Sequence, residues 1–491
     1  MRLLSDLLAN AQLEAHIVGD ASVAITAITA DSRQVTPGSL FVAMPGVRAD
    51  GAQYIADAIA RGAAAVICAE GAAGDSSSTT FLYVTDMRAS VSALAAAFYP
   101  RQPEYCVAIT GTDGKTSTAD FVRQLANLSG LDAASIGTLG LRSRHTALDA
   151  AFPAINTSPE PILLHHTLQQ LADAGVKIAA IETSSHGLDQ KRADGVRFAA
   201  AAFTNLTRDH LDYHGTTDAY FAAKSLLFSR LLRAGSVAVI NHDDAHFAAL
   251  QQICVHRSIH VVSFGFDAAA TYRILRLTPH AGGLEAVVVI HGVEHTLSLP
   301  LYGSFQLSNM LAAVGLLEGA SLRTLDAMQL LAYLPKLQGV PGRLEKIGSY
   351  HNAPIFIDYA HTPAALGNIL KTLRPHTTNK LHVVFGCGGD RDAGKRPEMG
   401  AVAAQHADRV IITDDNPRSE DPAAIRAAIL AAAPGAFEVA DRATAIRRAI
   451  HHLEAGDVLV VAGKGHETTQ IIGNQTLPFN DAEEIRKVIA A

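Results

Sequence analysis

Residues 108–121 read AITGTDGKTSTADF, and this stretch decides the fold of the middle of the chain. The apolar run CVAIT that ends at residue 110 is typical of a buried parallel strand, and KTSTADFVRQLANL (115–128) has helical periodicity. Between them, the glycines of GTDG (111–114) allow backbone N–H groups to face an anion, and the helix N-terminus adds its dipole. The stretch therefore predicts a phosphate-binding loop of the form GxxGK[ST].

The side chains after this loop indicate which anion it binds. Lys115 can reach the β- and γ-phosphates of a nucleoside triphosphate, and Thr116 can contact Mg²⁺. An ordinary glycine turn between strand and helix is the alternative, but it does not account for Lys115, Thr116 and Ser117 in succession. The predicted ATP-binding residues of the loop are Gly111, Thr112, Asp113, Gly114, Lys115, Thr116 and Ser117.

Two further segments of this region carry polar residues after apolar strands. VKIAAIE (176–182) ends at Glu182, and FAAAAFTNL (198–206) precedes the loop that contains His210. The C-terminal ends of parallel strands share one edge, so both residues should face the phosphate loop, where they could bind a metal ion. Lys224 lies on the next predicted helix, and taken alone it reads as a solvated surface lysine.

The last third of the chain alternates apolar strands with polar, glycine- or proline-bearing clusters, as in a Rossmann-like sheet. Turn chemistry explains the Gly, Pro, Asn and Asp of these clusters, but not two arginines, a lysine and a glutamate at one edge. The polar residues expected at that edge are Asp358, His361, Arg391, Asp415, Asn416, Arg418, Lys464, His466 and Glu467.

Length and composition limit the other possibilities. A chain of 491 residues is too long to fold around one hydrophobic core. Proline-bearing joints at 99–105 and 334–345 predict domains at 1–102, 103–336 and 337–491. The net charge of −7 without a Lys/Arg cluster favours small-molecule partners over nucleic acid. No apolar run approaches the roughly 18 residues of a membrane span, and the four separated cysteines fit a reducing cytoplasm. We expect a monomer.

A set of motifs in fixed order resembles the Mur ligases of peptidoglycan synthesis. The motifs are TGTDGKTS, IETSSHGLDQKR, FTNLTRDHLDYHG, AAKSLLFS, GSFQLSN, GRLEKI, DYAHTP, FGCGGDRDAGKRP, TDDNPR and VAGKGHE. The resemblance runs from ADSRQVTPGSLFVAMPG (30–46) to the last strand. It implies an α/β protein with an N-terminal UDP-binding domain, a central P-loop ATPase-like parallel-sheet domain and a C-terminal Rossmann-like domain.

The resemblance also implies an ATP-dependent amide-bond ligase. Its substrates would be ATP, UDP-N-acetylmuramoyl-L-alanyl-D-glutamate and meso-diaminopimelate, with Mg²⁺ as cofactor and an acyl phosphate as intermediate. Catalysis would rest on Lys115, Glu182, His210 and Lys224. The metal neighbourhood would be Thr116, Glu182, His210 and Lys224, the last as a carbamate, which reverses the surface interpretation of that lysine.

The other substrate contacts carry over from the family residue by residue. The UDP-linked dipeptide would contact Ser32, Val47, Arg48, Ala49, Asn156, Thr157, Ser158, Ser184, Gln190 and Arg192. Further nucleotide contacts would be Asn309, Arg343, Asp358 and His361. Diaminopimelate would be bound by Arg391, Asp415, Asn416, Pro417, Arg418, Gly463 and Glu467, with Asp415 and Asn416 near its distal amine and Arg418 on its distal carboxylate.

The chain departs from the family pattern at three positions, and rival functions remain open. Asp113 stands where the family usually has Asn, Ser158 replaces a Thr, and Gln306 replaces an Asn. A lysine-adding ligase would differ chiefly at the arginine of DNPR, and a folylpolyglutamate synthetase would lack the N-terminal region. A nucleotide-binding regulator without turnover is the alternative from another class.

Overall fold

The computed structural model describes residues 1–45, 50–71, 79–153, 156–207, 209–320 and 325–490. The chain forms two compact units, one of Met1–Phe264 with Leu311–Leu330, the other of Gly265–Met310 with Leu331–Ala491. Within the described ranges, no helix is both long and apolar enough to cross a membrane. The domain boundaries predicted at residues 102 and 336 stay a prediction.

The N-terminal part of the first unit is built on a five-stranded sheet. The strand order is β2-β7-β6-β5-β4, with β2 antiparallel and the rest parallel, and β1 pairs with β3. Leu40, Ile67 and Leu82 of this sheet pack with Leu94 of the last helix in one core. The elements are β1 Arg2–Leu3, α1 Leu4–Ala11, β2 His16–Val18, β3 Ala24–Ile25, β4 Ala27–Thr29, β5 Ser39–Val42, α2 Ile55–Ala60, β6 Ala63–Ala69, β7 Thr80–Val84 and α3 Met87–Phe98.

The central part of the first unit is a mostly parallel sheet. Its elements are β8 Tyr105–Thr110, α4 Lys115–Leu128, β9 Ala133–Gly137, β10 Gly140–Arg142, α5 Thr146–Ala151, α6 Pro161–Asp173, β11 Ile178–Glu182, α7 Ser185–Asp189, β12 Phe198–Phe203, α8 Leu211–His214, α9 Thr217–Leu226, β13 Val237–Asn241, α10 Phe247–His256 and β14 His260–Gly265. The order is β10-β9-β11-β8-β12-β13-β14, and β10 alone of these is antiparallel to its neighbour. Since β8 lies between β11 and β12, the loops after these three strands share one edge.

The two parts of the first unit are joined at helix α3. Ser92 Oγ donates to the Lys191 carbonyl (2.6 Å), and Lys191 Nζ pairs with Asp86, which also caps α3 by accepting from the Ala89 amide. Gln102 Nε2 donates to the Gly195 carbonyl (3.0 Å). These contacts hold the segment after α7 against α3 and the residues that follow α3.

The second unit begins with an antiparallel meander and ends in a second α/β sheet. The first elements are β15 Tyr272–His280, β16 Gly283–Ile290, β17 Val293–Leu299, α11 Ser304–Ala320 and α12 Ala327–Leu331, the two helices contributing residues to both units. The C-terminal elements are β18 Glu345–Tyr350, β19 Ala353–Asp358, α13 Pro363–Leu373, β20 Leu381–Phe385, α14 Lys395–His406, β21 Arg409–Ile412, α15 Pro422–Leu430, β22 Phe437–Glu438, α16 Arg442–His451, β23 Val458–Ala462, β24 Thr469–Ile472, β25 Gln475–Pro478 and α17 Asp481–Ala490.

The C-terminal sheet has the order β18-β19-β23-β20-β21-β22, and β18 alone of the six is antiparallel to its neighbour. Strands β19, β20 and β23 are buried along their whole length, as expected for parallel strands covered on both faces. A fully buried ion pair joins two of the covering helices, because Arg442 Nε and Nη2 bond the two Asp481 oxygens at 2.7 Å each. Because β19, β20, β21 and β23 are parallel, the polar loops that follow them lie at one edge of the sheet.

Candidate active site

The loop at residues 111–114 is shaped by two glycines and held by the segment after β12. Gly111 has φ +143°, and a Cβ there would lie 1.9 Å from Thr204 Oγ1. Gly114 has φ +83° and precedes the first turn of α4. The Asp113 amide donates to Asn205 Oδ1 (2.9 Å), which fixes the loop between strand and helix. The backbone thus has the form that an anion site at a helix N-terminus requires.

The Lys115 ammonium lies over this loop. Its Nζ donates to the carbonyls of Gly111 (2.9 Å) and Thr112 (2.7 Å). The next two residues of α4, Thr116 and Ser117, are buried. A cation at this position can meet phosphate oxygens that the loop binds.

Glu182 ends β11 beside the loop and is nearly fully buried. Its Oε2 accepts from Thr116 Oγ1 (2.9 Å), and its Oε1 accepts from the Thr138 amide (2.9 Å). A hydroxyl and a carboxylate together are hard oxygen ligands of the kind that Mg²⁺ prefers. Among the residues that the structure describes, no three His, Cys, Asp or Glu side chains form a ready-made metal cage.

Gly137 leaves the space in which Glu182 sits. A Cβ at Gly137 would lie 2.0 Å from Glu182 Oε1. We expect Gly137→Ala to displace the carboxylate and to lower kcat by roughly tenfold or more, since small misplacements of catalytic groups are costly. Gly339→Ala is the control, because a Cβ there meets nothing closer than 3.7 Å. Equal loss of steady-state activity in both variants would contradict this role of Gly137.

Lys224 is buried on α9, so the surface interpretation that its helix alone suggests is wrong. Its Nζ donates to the Gly111 carbonyl (2.6 Å) and lies 4.5 Å from the Tyr220 ring centroid. Burial, with a smaller contribution from the Lys115 charge, holds the pKa of Lys224 well below its usual value. The neutral form of the amine is therefore more accessible here than in an exposed lysine.

His210 is the residue before α8, at its N-cap, and has a left-handed backbone (φ +52°). Its ring centroid lies 4.9 Å from that of His186 and 6.0 Å from that of Tyr220. The Tyr220 hydroxyl lies 3.3 Å from Thr112 Oγ1 in the phosphate loop. Tyr220 therefore lies between His210 and the phosphate loop. The His210 side chain is about half exposed.

The predicted dipeptide contacts form one hydrogen-bonded group with Glu182. Ser158 Oγ donates to the Glu182 carbonyl (3.0 Å) and accepts from the Ser184 amide (2.8 Å). Thr157 Oγ1 lies 3.1 Å from Thr138 Oγ1, and the Thr138 amide donates to the Glu182 carboxylate. The residues expected to hold the UDP-linked dipeptide, which supplies the carboxylate that is activated, therefore border the predicted metal ligand.

Arg192 belongs to the same hydrogen-bonded group. Its Nη1 donates to the Ser158 carbonyl (2.9 Å), and its Nη2 donates to Gln190 Oε1 (2.6 Å). Asn156 is exposed, and Ser32 is buried and hydrogen-bonds Asp57. Three predicted UDP contacts lie outside the described residues: Val47, Arg48 and Ala49.

In the second unit, Asp358 ends β19 as a buried carboxylate. Its two oxygens accept from the Leu344 and Ala360 amides at 2.7 Å each. Burial raises the pKa of Asp358 to about 6, although the nearby Arg343 charge and these bonds oppose the shift. Arg343 lies 5.2 Å from the Tyr359 ring centroid, and His361 Nδ1 lies 2.8 Å from the Tyr359 carbonyl. The other predicted nucleotide contact, Asn309, is buried on α11, as is Gln306.

The loops after β21 and β23 build a polar pocket in the same unit. Asn416 Nδ2 donates to Glu467 Oε2 (3.0 Å), and the fully buried Lys464 donates to both residues. Asp415 is also buried, and burial raises the pKa of its carboxyl, an effect that the Arg442 and Lys464 charges oppose. Gly463 has φ +112°, and a Cβ there would lie 2.7 Å from Asp415 Oδ2. Two carboxylates and an amide therefore converge at this edge.

Arg418 borders this pocket with a left-handed backbone (φ +51°). Its Nη1 donates to the Gly389 carbonyl (2.8 Å), and its amide donates to the Ile471 carbonyl (3.1 Å). A Cβ at Gly388 would lie 2.8 Å from Arg418 Nη1, so a larger residue there would shift the guanidinium. Arg391 is exposed on the same loop as Gly389, and Pro417 precedes the arginine.

Some residues of the site were not predicted from the sequence. Gly137 ends β9 and Thr138 follows it, and their position at the end of an apolar strand was the signal that could have identified them. Asn205 lies in a quoted motif, but nothing in its spacing predicted a bond to the phosphate loop. Lys464 was predicted at the correct edge of the sheet. Its bond to Asn416, 48 residues earlier in the chain, could not be predicted, because only the fold brings the two residues together.

Three family profiles match successive parts of the chain. They are the Mur ligase family catalytic domain over residues 24–99, the Mur ligase middle domain over 109–317, and the Mur ligase glutamate ligase domain over 342–465. Together with the phosphate loop and the two α/β sheets, they place this chain in a class of ATP-dependent amide-bond ligases. The chain belongs to the Mur ligase family, and its predicted three-domain α/β fold class is confirmed.

The similar proteins include curated relatives of one kind. The chain is 48% identical, over 97% of both chains, to UDP-N-acetylmuramoyl-L-alanyl-D-glutamate–2,6-diaminopimelate ligase of Rhizobium meliloti. It is 46% identical, over 99% of both chains, to the ligase of the same name from Bradyrhizobium diazoefficiens. A solved structure of a ligase with that name is 34% identical, with a TM-score of 0.70 over 95% of both chains.

Proposed function

We propose that this chain uses ATP to join meso-diaminopimelate to the D-glutamate γ-carboxylate of UDP-N-acetylmuramoyl-L-alanyl-D-glutamate. The names of the full-length relatives support this substrate set. The observation in the chain itself that carries the choice of amino acid is Arg418, whose Nη1 donates to the Gly389 carbonyl (2.8 Å) and whose chain neighbours Asp415 and Asn416 line the polar pocket with Glu467. A zwitterionic group needs both charges in its pocket.

The chemistry follows from the reactivity of the groups. A carboxylate is a poor acyl donor, so a γ-carboxylate oxygen attacks the γ-phosphorus of ATP, ADP leaves, and an acyl phosphate forms. The free amine of the amino acid then attacks the acyl carbon, the C–O bond to phosphate breaks, and inorganic phosphate and an amide result. Lys115 and the loop N–H groups offset the negative charge that develops on the phosphoryl oxygens.

The residues present fit a Mg²⁺ ion. Thr116 and Glu182 would supply oxygen ligands, with His210 and a carbamate on Lys224 nearby. When bound, the ion would neutralise phosphate charge during transfer. Since CO₂ adds only to an unprotonated amine, the lowered pKa of Lys224 supports the carbamate.

The amino-acid substrate is assigned from one functional group. meso-Diaminopimelate carries a distal carboxylate that lysine lacks, and a planar guanidinium can pair with both oxygens of that group. A lysine-adding ligase has no use for a cation at this place. We further propose that the three domains end near residues 102 and 336, and that the enzyme acts as a monomer in the cytoplasm on soluble nucleotide substrates.

Removal of the Arg418 guanidinium tests this assignment. We expect Arg418→Ala to lose on the order of thirtyfold or more in kcat/KM for meso-diaminopimelate, since truncating one partner of a desolvated charge pair costs roughly 2 to 5 kcal/mol. Activity with lysine should change much less. Arg447→Ala, which removes an exposed arginine of α16, is the control. Wild-type efficiency of Arg418→Ala with meso-diaminopimelate would refute the assignment.

A further inference from the structure

The buried ammonium of Lys464 has no part in the reaction as described, yet it contacts two residues of the amino-acid pocket. The side chain is fully buried, and Nζ lies 3.0 Å from Asn416 Oδ1 and 3.0 Å from Glu467 Oε2. A buried cation is costly unless it is paired and hydrogen-bonded. Lys464 lies between two predicted substrate contacts, so we expect its buried charge to have a role in the pocket.

Lys464 determines which way the Asn416 amide faces. Both Lys464 Nζ and the Ile471 amide point at the same atom of Asn416, each at 3.0 Å. Both groups can only donate, so the atom that they meet must be the carbonyl oxygen. The amide nitrogen then faces Glu467 Oε2, to which it donates at 3.0 Å.

This orientation fixes what Asn416 can offer a ligand. The two lone pairs of Oδ1 are taken by Lys464 and Ile471, and one N–H is taken by Glu467. The group left is a second N–H, which can donate but not accept. Asn416 can thus bind a carboxylate oxygen, and it cannot accept from the distal amine as the sequence suggests.

The carboxylates of Asp415 and Glu467 are the groups that can accept hydrogen bonds from the distal amine. Glu467 Oε2 is engaged by Asn416 and Lys464, whereas no hydrogen bond to the Asp415 carboxylate is found in the ranges that the structure covers. The pocket then has donors for a carboxylate in Asn416 and Arg418, and acceptors for an ammonium in Asp415 and Glu467. These groups match the two charges of one amino-acid centre.

We propose that Lys464 is a positioning residue, which orients Asn416 as a donor and Glu467 as an acceptor so that the pocket selects a carboxylate–ammonium pair. The proposal rests on the proposed function, because it concerns the distal centre of meso-diaminopimelate. Lys464 itself touches no substrate.

Lys464→Met tests the proposal, since it keeps the stem and removes the charge. We expect the KM for meso-diaminopimelate to rise roughly tenfold or more, the range for hydrogen bonds to charged groups, with kcat at saturation within about threefold of wild type. The KM values for ATP and the UDP-linked dipeptide should stay within about twofold. Lys380→Met, at a half-exposed lysine that pairs with Glu454, is the matched control. A parallel loss of kcat for all substrates with an unchanged KM would overturn the proposal and indicate a structural role.

Asn416→Asp provides a second test that does not depend on removing a buried charge. Asp keeps an acceptor for Lys464 and Ile471 but replaces Nδ2 with an oxygen, so the free N–H and the bond to Glu467 are both lost. We expect the KM for meso-diaminopimelate to rise by about tenfold or more and the KM for lysine, which has no distal carboxylate, to change much less. Tighter binding of meso-diaminopimelate would show that Asn416 faces the amine and would overturn the proposal.

The two levels of the account fail differently. If wild type does not use meso-diaminopimelate, the proposed function is wrong. If wild type uses it and Lys464→Met matches wild type in KM, the proposed function stands and the role of Lys464 is wrong.

Discussion

Lys115→Met is expected to lower ligase turnover by roughly a hundredfold to a thousandfold, while the UDP-linked dipeptide still binds. Methionine keeps the length of the stem and removes the charge. The ammonium lies over the loop on the carbonyls of Gly111 and Thr112, where phosphate oxygens would meet it. Preorganised charge of this kind contributes more in the transition state than in the bound ground state, so kcat should fall more than affinity.

The measurement for Lys115→Met is phosphate release at saturating substrates, with binding of the UDP-linked dipeptide followed by calorimetry. Lys177→Met is the control, because Lys177 is a half-exposed lysine of the same unit, paired with Glu104. Turnover within about tenfold of wild type, a loss of under roughly 1.4 kcal/mol, would remove Lys115 from the mechanism.

Lys224→Ala is expected to be nearly inactive, by roughly a hundredfold or more, and to be partly rescued by a short carboxylic acid. The amine is buried beside the Gly111 carbonyl, and its lowered pKa favours the neutral form that CO₂ can carboxylate. If the carbamate is the working group, the site needs an anion rather than an ammonium. Acetate or formate can supply a carboxylate in the space that the alanine leaves.

The rescue is measured as phosphate release across a series of acetate concentrations, with chloride as the ionic-strength control. Acetate should leave Lys115→Met inactive, since that variant lacks a cation. A high-resolution electron-density map with an unmodified Lys224 amine beside bound nucleotide and metal would contradict the carbamate, as would the absence of any rescue.

The phosphate loop was predictable because its chemistry is local. Gly111, Gly114 and Lys115 are close in sequence, and a strand before them and a helix after them follow from periodicity. The position of Glu182 at the edge of the sheet was predictable, because parallel strands align their C-terminal ends. Its bonds to Thr116 and Thr138 were not, since register and side-chain rotamers are set by packing.

Lys224 illustrates what helical pattern cannot decide. An isolated lysine on an amphipathic helix is usually solvated, and only the placement of α9 against the phosphate loop buries it. The polarity of Asn416 likewise depends on Lys464 and Ile471, residues far along the chain that the C-terminal sheet brings to it. Long-range pairing of this kind has no signature in a local stretch of sequence.

The central claim is that this Mur ligase adds meso-diaminopimelate to UDP-N-acetylmuramoyl-L-alanyl-D-glutamate. The most direct measurement is phosphate release by the wild-type protein with ATP, Mg²⁺ and the UDP-linked dipeptide, in parallel reactions with meso-diaminopimelate, with lysine and with neither, together with the mass of the product. The account predicts phosphate release coupled to a product heavier by one diaminopimelate residue, and a kcat/KM for lysine lower by roughly a hundredfold or more. Equal or better use of lysine, or no amide product with either amino acid, would contradict it.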